Sequence, residues 1–480
     1  MVSASLGNFA YQAHVIDGID EKELYDSFPL NNVQQGYYFG RFNSFELSNV
    51  STHVYSEFLY SQLDPVRLEA ALNRLIERHL ALRTQFNDGQ QRFRREHSHY
   101  SIACHELRST AELEELRAQY SHKVYDPEQY PLFDIVVSRL EGVYRLHISF
   151  DAIIIDMASF QILFEEWGRL YQDPTQQLPC LGVSYRDYVL AYEKIREGEL
   201  FHKARQYWEG KAEGYNLELK IPLKTHPASI AKPFFKRKSQ FIPATVWDGL
   251  TARCRKYGIS PTALILELYS QVLSRWSGQD RLCVNLTLFN RLPLHADING
   301  IIGDFTVLEL FDYRLEPGQT IAEKLRGVHS GLLQDIEHNL FDGIDFQRLL
   351  KMQRGIPGNK VIAPAVLTSV LGMKGKASMF ELPLGDSYLG VGYSISQTAQ
   401  VWLDNKAYET DEGFVAEWDY VEQLFDEQVI ADMHAAYCAA IERLAQLDWD
   451  ATVFPALEAP ARDLALIREA NSERQPRSEQ

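Results

Sequence analysis

Long stretches of the chain repeat apolar residues at helical spacing, each behind a capping residue. VRLEAALNRLIERHLALR follows Asp64-Pro65 and sets Leu68, Leu72, Leu75, Ile76 and Leu80 at three- and four-residue intervals, with aspartate as cap and proline in the first turn. PTALILELYSQVLSRWS repeats the logic with Ser260 as cap and Pro261 at the first helical position, and EQVIADMHAAYCAAIERLAQL is an amphipathic helix behind Asp426. Strand signals lie between them. YRLHISFD (Tyr144 to Asp151) alternates and runs into the predicted helix DMASFQILFEEWGRLY, and RLCVNLTLF reads as a buried strand. Strands and helices interleave through both halves, so the predicted fold class is α/β. Residues 1–20 carry no strong periodicity and read as an N-terminal arm. The polar stretch YQDPTQQLPCLGVSYRDY marks a break, predicting an N-terminal lobe over 21–190 and a C-terminal lobe over 191–455, with a substrate path where they meet. After Pro455 the sequence turns polar, and 456–480 read as a linker.

Composition narrows the function. The 480 residues hold 65 Asp plus Glu against 48 Lys plus Arg, a net charge of −17, which argues against neutralising a nucleic-acid backbone. The basic clusters RFRREH (Arg92 to His97) and KPFFKRK (Lys232 to Lys238) are short and read as solvated strand or loop surface. The five cysteines are scattered with no CxxC pair, which fits a reducing compartment and no zinc ribbon. No apolar run reaches the ~18 residues of a membrane span, and the first 20 residues lack a signal-peptide pattern, so a cytoplasmic protein without membrane contact is expected.

Nucleotide-loop, nucleophile-elbow and HExxH motifs are absent, and no metal is expected. His79, in a helical pattern, and His147, inside a strand, read as structural. The informative segment is SFDAIIIDMAS. Asp151 and Asp156 bracket four apolar residues at a strand end, where two carboxylates are costly to desolvate without donors. Spacing leaves two readings open: a general acid/base dyad, or carboxylates held by arginine or backbone amides that fix a strand-to-helix turn.

The same residues resemble the heterocyclization domains of nonribosomal peptide synthetases, in the condensation-domain superfamily. Where condensation relatives read HHxxxDG, Asp151 and Ala152 occupy the two histidine positions and Asp156 the aspartate, the DxxxxD form of the cyclizing branch. Further blocks follow in order. FPLNNVQQGYYFGR (Phe28 to Arg41), RHLALRTQFNDGQQ, GDFTVLEL (Gly303 to Leu310), PAVLTSVL (Pro364 to Leu371), SQTAQVWLD (Ser396 to Asp404) and Trp418-Asp419 each resemble a family motif. Ala399 replaces the family's proline, and Asn31 stands where Ser or Thr is usual.

The resemblance implies two chloramphenicol-acetyltransferase-like lobes, a pseudo-dimer, with a tunnel between them. It implies carrier proteins as partners, an upstream donor and a downstream acceptor, whose phosphopantetheine arms deliver the substrates; the domain itself is expected to bind no cofactor. A thioester would be condensed with carrier-bound Cys, Ser or Thr, and the amide cyclodehydrated to a thiazoline or oxazoline. By resemblance Asp404 is the acid/base group with Thr368 as hydroxyl partner, and Arg291 pairs with Asp156, which makes the DxxxxD motif of Asp151 and Asp156 chiefly architectural. Asn290 and Gln397 are candidate amide donors to the tunnel substrate. The tail LALIREANSERQP resembles the approach to an adenylation domain, so a covalently linked one is expected. Two other functions compete: an acyltransferase of the superfamily that does not cyclize, against which Ala152 counts, and a non-catalytic carrier-docking module, against which Thr368 and Asp404 count.

Overall fold

Alternating stretches become strands and capped amphipathic stretches become helices. The computed structural model describes residue 11 and residues 14–42, 44–372, 382 and 384–472. The strands are β1 (Phe28–Pro29), β2 (His53–Tyr60), β3 (Thr84–Asn87), β4 (Gln90–Phe93), β5 (Ala103–Glu106), β6 (Phe133–Leu140), β7 (Val143–Asp151), β8 (Phe235–Pro243), β9 (Arg281–Phe289), β10 (Thr306–Arg314), β11 (Ala365–Val370), β12 (Tyr388–Gln397), β13 (Leu403–Thr410) and β14 (Gly413–Val421). They form two α/β lobes. The first is built on a five-stranded sheet, β12-β2-β7-β6-β5, and the second on a six-stranded sheet, β10-β9-β11-β13-β14-β8; β1, β4 and β3 make a small third sheet.

The helix Pro65–Arg78 starts where Asp64 accepts the Val66 and Arg67 N–H groups, and buries Leu68, Leu72, Leu75 and Ile76 in the first lobe's core. Leu80 falls beyond its end, in a short 3-10 turn. Trp167, on the helix Met157–Gln172, fills the same core. In the second lobe the helix Pro261–Ser277, capped by Ser260, is buried almost all round, and Val429, Met433 and Tyr437 of Glu427–Leu444 share its core. A third cluster joins Phe28 and Phe93 to Tyr185, Tyr188 and Phe305, so apolar contact runs across the seam between halves.

The division at residue 190 needs one amendment. β12 lies between two strands of the second lobe in sequence, yet it pairs antiparallel with β2 and completes the first lobe's sheet. Its partners lie across the seam because β2 would otherwise be an open edge with unpaired backbone groups. The ends differ from a plain arm and linker too. Residues 1–10 and 12–13 of the expected arm lie outside the described residues, but Ile16 donates its N–H to the Leu294 carbonyl (2.9 Å) and packs with Tyr11 on the third cluster. Within the tail, Ala461–Ser472 is a helix that buries Ile467, and Asp463 accepts the Trp276 indole N–H at 2.8 Å. Residues 473–480 lie outside the described residues. No helix among the described residues is long and apolar enough to cross a membrane.

Candidate active site

The acidic pair closes the turn between β7 and the helix Met157–Gln172. Arg41, the C-cap of the helix Asn32–Gly40, grips Asp151 with both terminal nitrogens at 2.8 and 3.2 Å. Asp151 Oδ1 also accepts the Ile153 N–H (3.0 Å), folding Ala152–Ile154 into a single 3-10 turn. Asp156 caps the following helix by accepting the Ser159 N–H at 2.6 Å. The expected pairing with Arg291 is present: Arg291 Nη2 lies 3.2 Å from Asp156 Oδ1, while Oδ2 accepts the Phe305 N–H. Arg291 further donates to Ser159 Oγ and to the Ile298 and Ile301 carbonyls, with its guanidinium 3.9 Å from the centre of the Phe305 ring. Asp156 therefore joins a first-lobe helix to a second-lobe loop. The approach is close: a Cβ on Gly303, whose carbonyl accepts the Asp156 N–H, would lie 2.2 Å from the Tyr185 ring. Nearby, Asn31 caps its helix in a capping box with Gln34 and donates across the seam to the Asp304 carbonyl at 2.7 Å.

Between the lobes lies a cavity of about 560 Å³, a size that suits a small organic substrate. Its walls include His53 and Ala152 from the first lobe and Asn285, Thr287, Thr368 and Asp404 from the second. β11 runs parallel to both β9 and β13, with Thr368 opposite Thr287 on one side and Lys406 on the other. Period two keeps Val366, Thr368 and Val370 on the cavity face of β11, and Asp404, Lys406 and Tyr408 on that of β13. Thr368 and Asp404 are brought together: Thr368 Oγ1 lies 3.1 Å from Asp404 Oδ1 and 3.2 Å from Thr287 Oγ1. Burial pushes the Asp404 carboxyl up to about 6; Asp419 acts in the same direction, while Lys406, the Thr368 hydroxyl and Arg237 oppose it.

A buried ionic network stands beside this pair. Arg237 on β8 holds Asp419 on β14 with two bonds of 2.6 Å, and lies 2.8 Å from Glu417. Asp419 also accepts the Ser396 N–H and hydroxyl and the Lys406 ammonium, the last at 2.5 Å. Burial acts to raise the Asp419 carboxyl, but Arg237 and Lys406 outweigh it and hold the group well below the usual carboxylate range. Arg237 corrects the reading of KPFFKRK as solvated surface: on a strand only alternate residues face water, so Lys236 and Lys238 reach Glu422 and Glu427 while Arg237 turns inward. Its signal in the sequence is the Trp418-Asp419 dipeptide, since Asp419 is Arg237's direct cross-strand partner.

The two amide candidates part company. Gln397 is buried, lines the cavity and donates to the Lys123 carbonyl at 3.4 Å. Asn290, expected at the tunnel, is not among the lining residues. Its carbonyl accepts the Tyr188 hydroxyl and its N–H donates to Phe305. The alternation that brings Asn285, Thr287 and Phe289 to the cavity puts residue 290 out of phase, and the wall asparagine on this strand is Asn285, missed in the sequence. Three buried histidines are engaged by neighbouring side chains. His53 bonds Ser149 Oγ and is lowered by burial to about 3, His147 bonds Tyr55 and Ser138 and is lowered by burial to about 4, and His79 bonds Glu166.

A family model described as the condensation domain matches residues 25–448. The chain is 34% identical over 433 residues to bacitracin synthase 1 of Bacillus licheniformis, covering 88% of this chain and 8% of that protein. It is 32% identical over 456 residues to phenyloxazoline synthase MbtB of Mycobacterium tuberculosis, covering 91% and 31%. The chain thus spans less than a third of the length of these curated relatives. Among solved structures, the EpoB NRPS cyclization-docking bidomain from Sorangium cellulosum superposes with a TM-score of 0.83 at 32% identity, over 91% of this chain and 89% of that one.

Proposed function

The chain belongs to the condensation-domain family, within its heterocyclization branch, and from that premise we propose that it condenses an acyl or peptidyl thioester with carrier-bound Cys, Ser or Thr and cyclodehydrates the product to a thiazoline or oxazoline. The substrates arrive on the phosphopantetheine arms of an upstream and a downstream carrier protein, and an adenylation domain follows in the same synthetase. In the first stage the acceptor amine attacks the thioester carbon, an amide bond forms and the donor thiol leaves. In the second stage the acceptor's sulfur or oxygen adds to the amide carbon, its proton passing to the carbonyl oxygen. That oxygen, protonated again, departs as water while nitrogen gives up its proton and the C=N bond forms. One carboxyl that both takes and gives protons serves each transfer.

The observation that carries the reading is the Thr368–Asp404 pair in the inter-lobe cavity, with Ala152 in the opposite wall. An alanine methyl moves no proton, whereas a buried carboxyl that titrates near 6 is matched to proton transfer in either direction. The hydroxyl of Thr368 orients one carboxyl oxygen. Asp151 and Asp156 have their oxygens engaged by arginine and backbone amides, which suits an architectural role. The test supplies the protein with a thioester-loaded donor carrier and a Cys-, Ser- or Thr-loaded acceptor carrier and follows the acceptor by intact mass. Condensation followed by loss of one water is the expected result. Condensation alone with all three acceptors would identify a non-cyclizing acyltransferase, and no transfer a docking module; either outcome overturns the reading.

A further inference from the structure

Lys406 sits two residues beyond Asp404 on the cavity face of β13, an ammonium buried next to the proposed acid/base group. Asp419 has a second cation as well: Arg237 engages both of that carboxylate's oxygens. Arg237 and Lys406 face Asp419 and Glu417, two cations against two anions, so ionising Asp404 adds a negative charge to a balanced group. The ammonium is fixed in place by Asp419 Oδ2 and by Ser396 Oγ of the crossing strand β12. We propose that Lys406 is a positioning residue for ring formation: pinned by Asp419 and Ser396, it stations a positive charge beside Asp404 and sets how readily that carboxyl gives up and takes back its proton. This rests on the role given to Asp404 above.

The surroundings of Asp404 support the assignment. Tyr408 on its own strand donates to Glu417, β11 brings the Thr368 hydroxyl, and β9 brings the Thr287 hydroxyl and the Asn285 amide. Tyr269, from the helix Pro261–Ser277, and Tyr37, from the helix Asn32–Gly40, are phenols raised by burial and further by the Asp404 charge, so they stay neutral; His53 across the cavity is neutral as well. The cations that stabilise ionised Asp404 are Lys406 first and Arg237 second, and Asp419 opposes them. Removing Lys406 therefore shifts the titration of Asp404 upward, and removing the Asp419 charge shifts it downward.

The experiment measures single-turnover ring closure of a preformed linear amide on the acceptor carrier from pH 5 to 9, with the intact protein. The parent profile should carry a limb near pH 6 that Asp404→Asn abolishes. Lys406→Met should move its midpoint up by ~1 unit, Asp419→Asn should move it down, and Lys406→Arg should restore the parent value. Lys406→Gln, which keeps hydrogen-bond donors but no charge, should behave as Lys406→Met. If Asp404→Asn closes the ring normally, the role of Asp404 itself fails. If Asp404→Asn is inactive yet the neutral Lys406 variants lower the rate with the midpoint unmoved, Lys406 is structural and the proposal is overturned. Failure of both neutral variants to match the parent's circular dichroism and melting would make the charge a requirement of the fold, and overturn it equally.

Discussion

Two groups of buried carboxylates, one at the β7 turn and one in the cavity wall, are handled in opposite ways. At the β7 turn, Asp151 and Asp156 each meet a guanidinium and at least one backbone N–H. Asp404 receives the Thr368 hydroxyl and, among the described residues, no guanidinium; the nearest arginine network closes on Asp419. A carboxylate with both oxygens bonded to a guanidinium and backbone amides is tied to the scaffold. One buried in the cavity wall with a single hydroxyl as its hydrogen-bond partner is poised between its two forms. The first arrangement stabilises a lobe junction at the expense of chemistry, and the second keeps chemistry available at some expense of stability.

The comparison breaks most visibly at the junction. Asp156→Ala should orphan Arg291, and Arg41→Ala should orphan Asp151, each destabilising by ~3 to 5 kcal/mol with loss of soluble protein and of both reaction stages. Denaturant unfolding checks this; an Asp156→Ala protein that unfolds at the parent's midpoint would move the pair from architecture to chemistry. Asp404→Asn should leave the fold and amide formation in place while ring formation falls by ~10² to 10⁴, seen as linear amide accumulating on the acceptor carrier. Equal loss of amide and ring would instead assign Asp404 to binding.

A subtler difference appears in the pH dependence of stability. With its folded value at about 6 against 3.8 unfolded, Asp404 makes the folded state bind more protons than the unfolded state across that window. Stability from this group is therefore full below about pH 4 and falls as pH rises to about 6, by roughly 2 to 3 kcal/mol. Asp404→Asn should lack that loss, so its melting temperature should overtake the parent's across this range and hold its lead above it. A constant difference from pH 4 to 8 would mean that the carboxyl is not held high. Thr368→Val is the smallest change. It removes one hydrogen bond to a carboxylate, worth ~1.5 to 3 kcal/mol, and should slow ring closure by about tenfold to a hundredfold while lowering stability by no more than that amount.

Much of the scaffold was legible along the chain because it is local. Asp64, Ser260 and Asp426 cap their helices through N–H groups two or three residues away, alternation announced β7, and RLCVNLTLF read as the buried strand β9. Thr368 and Asp404 were reachable through the resemblance of their motifs, though nothing in the spacing of residues 368 and 404 says that parallel pairing of β11 and β13 would place them 3.1 Å apart. Arg41 was visible as part of a motif but its partner was not, because Asp151 lies 110 residues away.

What the sequence by itself determined is therefore the strongly periodic elements and their caps, since those follow from periods of 2 and 3.6 and from side chains bonding their nearest backbone. Only the tertiary structure decided the rest: that β12 crosses to complete the other lobe's sheet, that Arg237 turns inward from a basic run, and that Lys406 shares Asp419 with it. Long-range pairing of charges depends on which strands become neighbours, and sheet order comes from burying whole faces and closing open edges, a property of all the strands together that no single stretch of residues encodes.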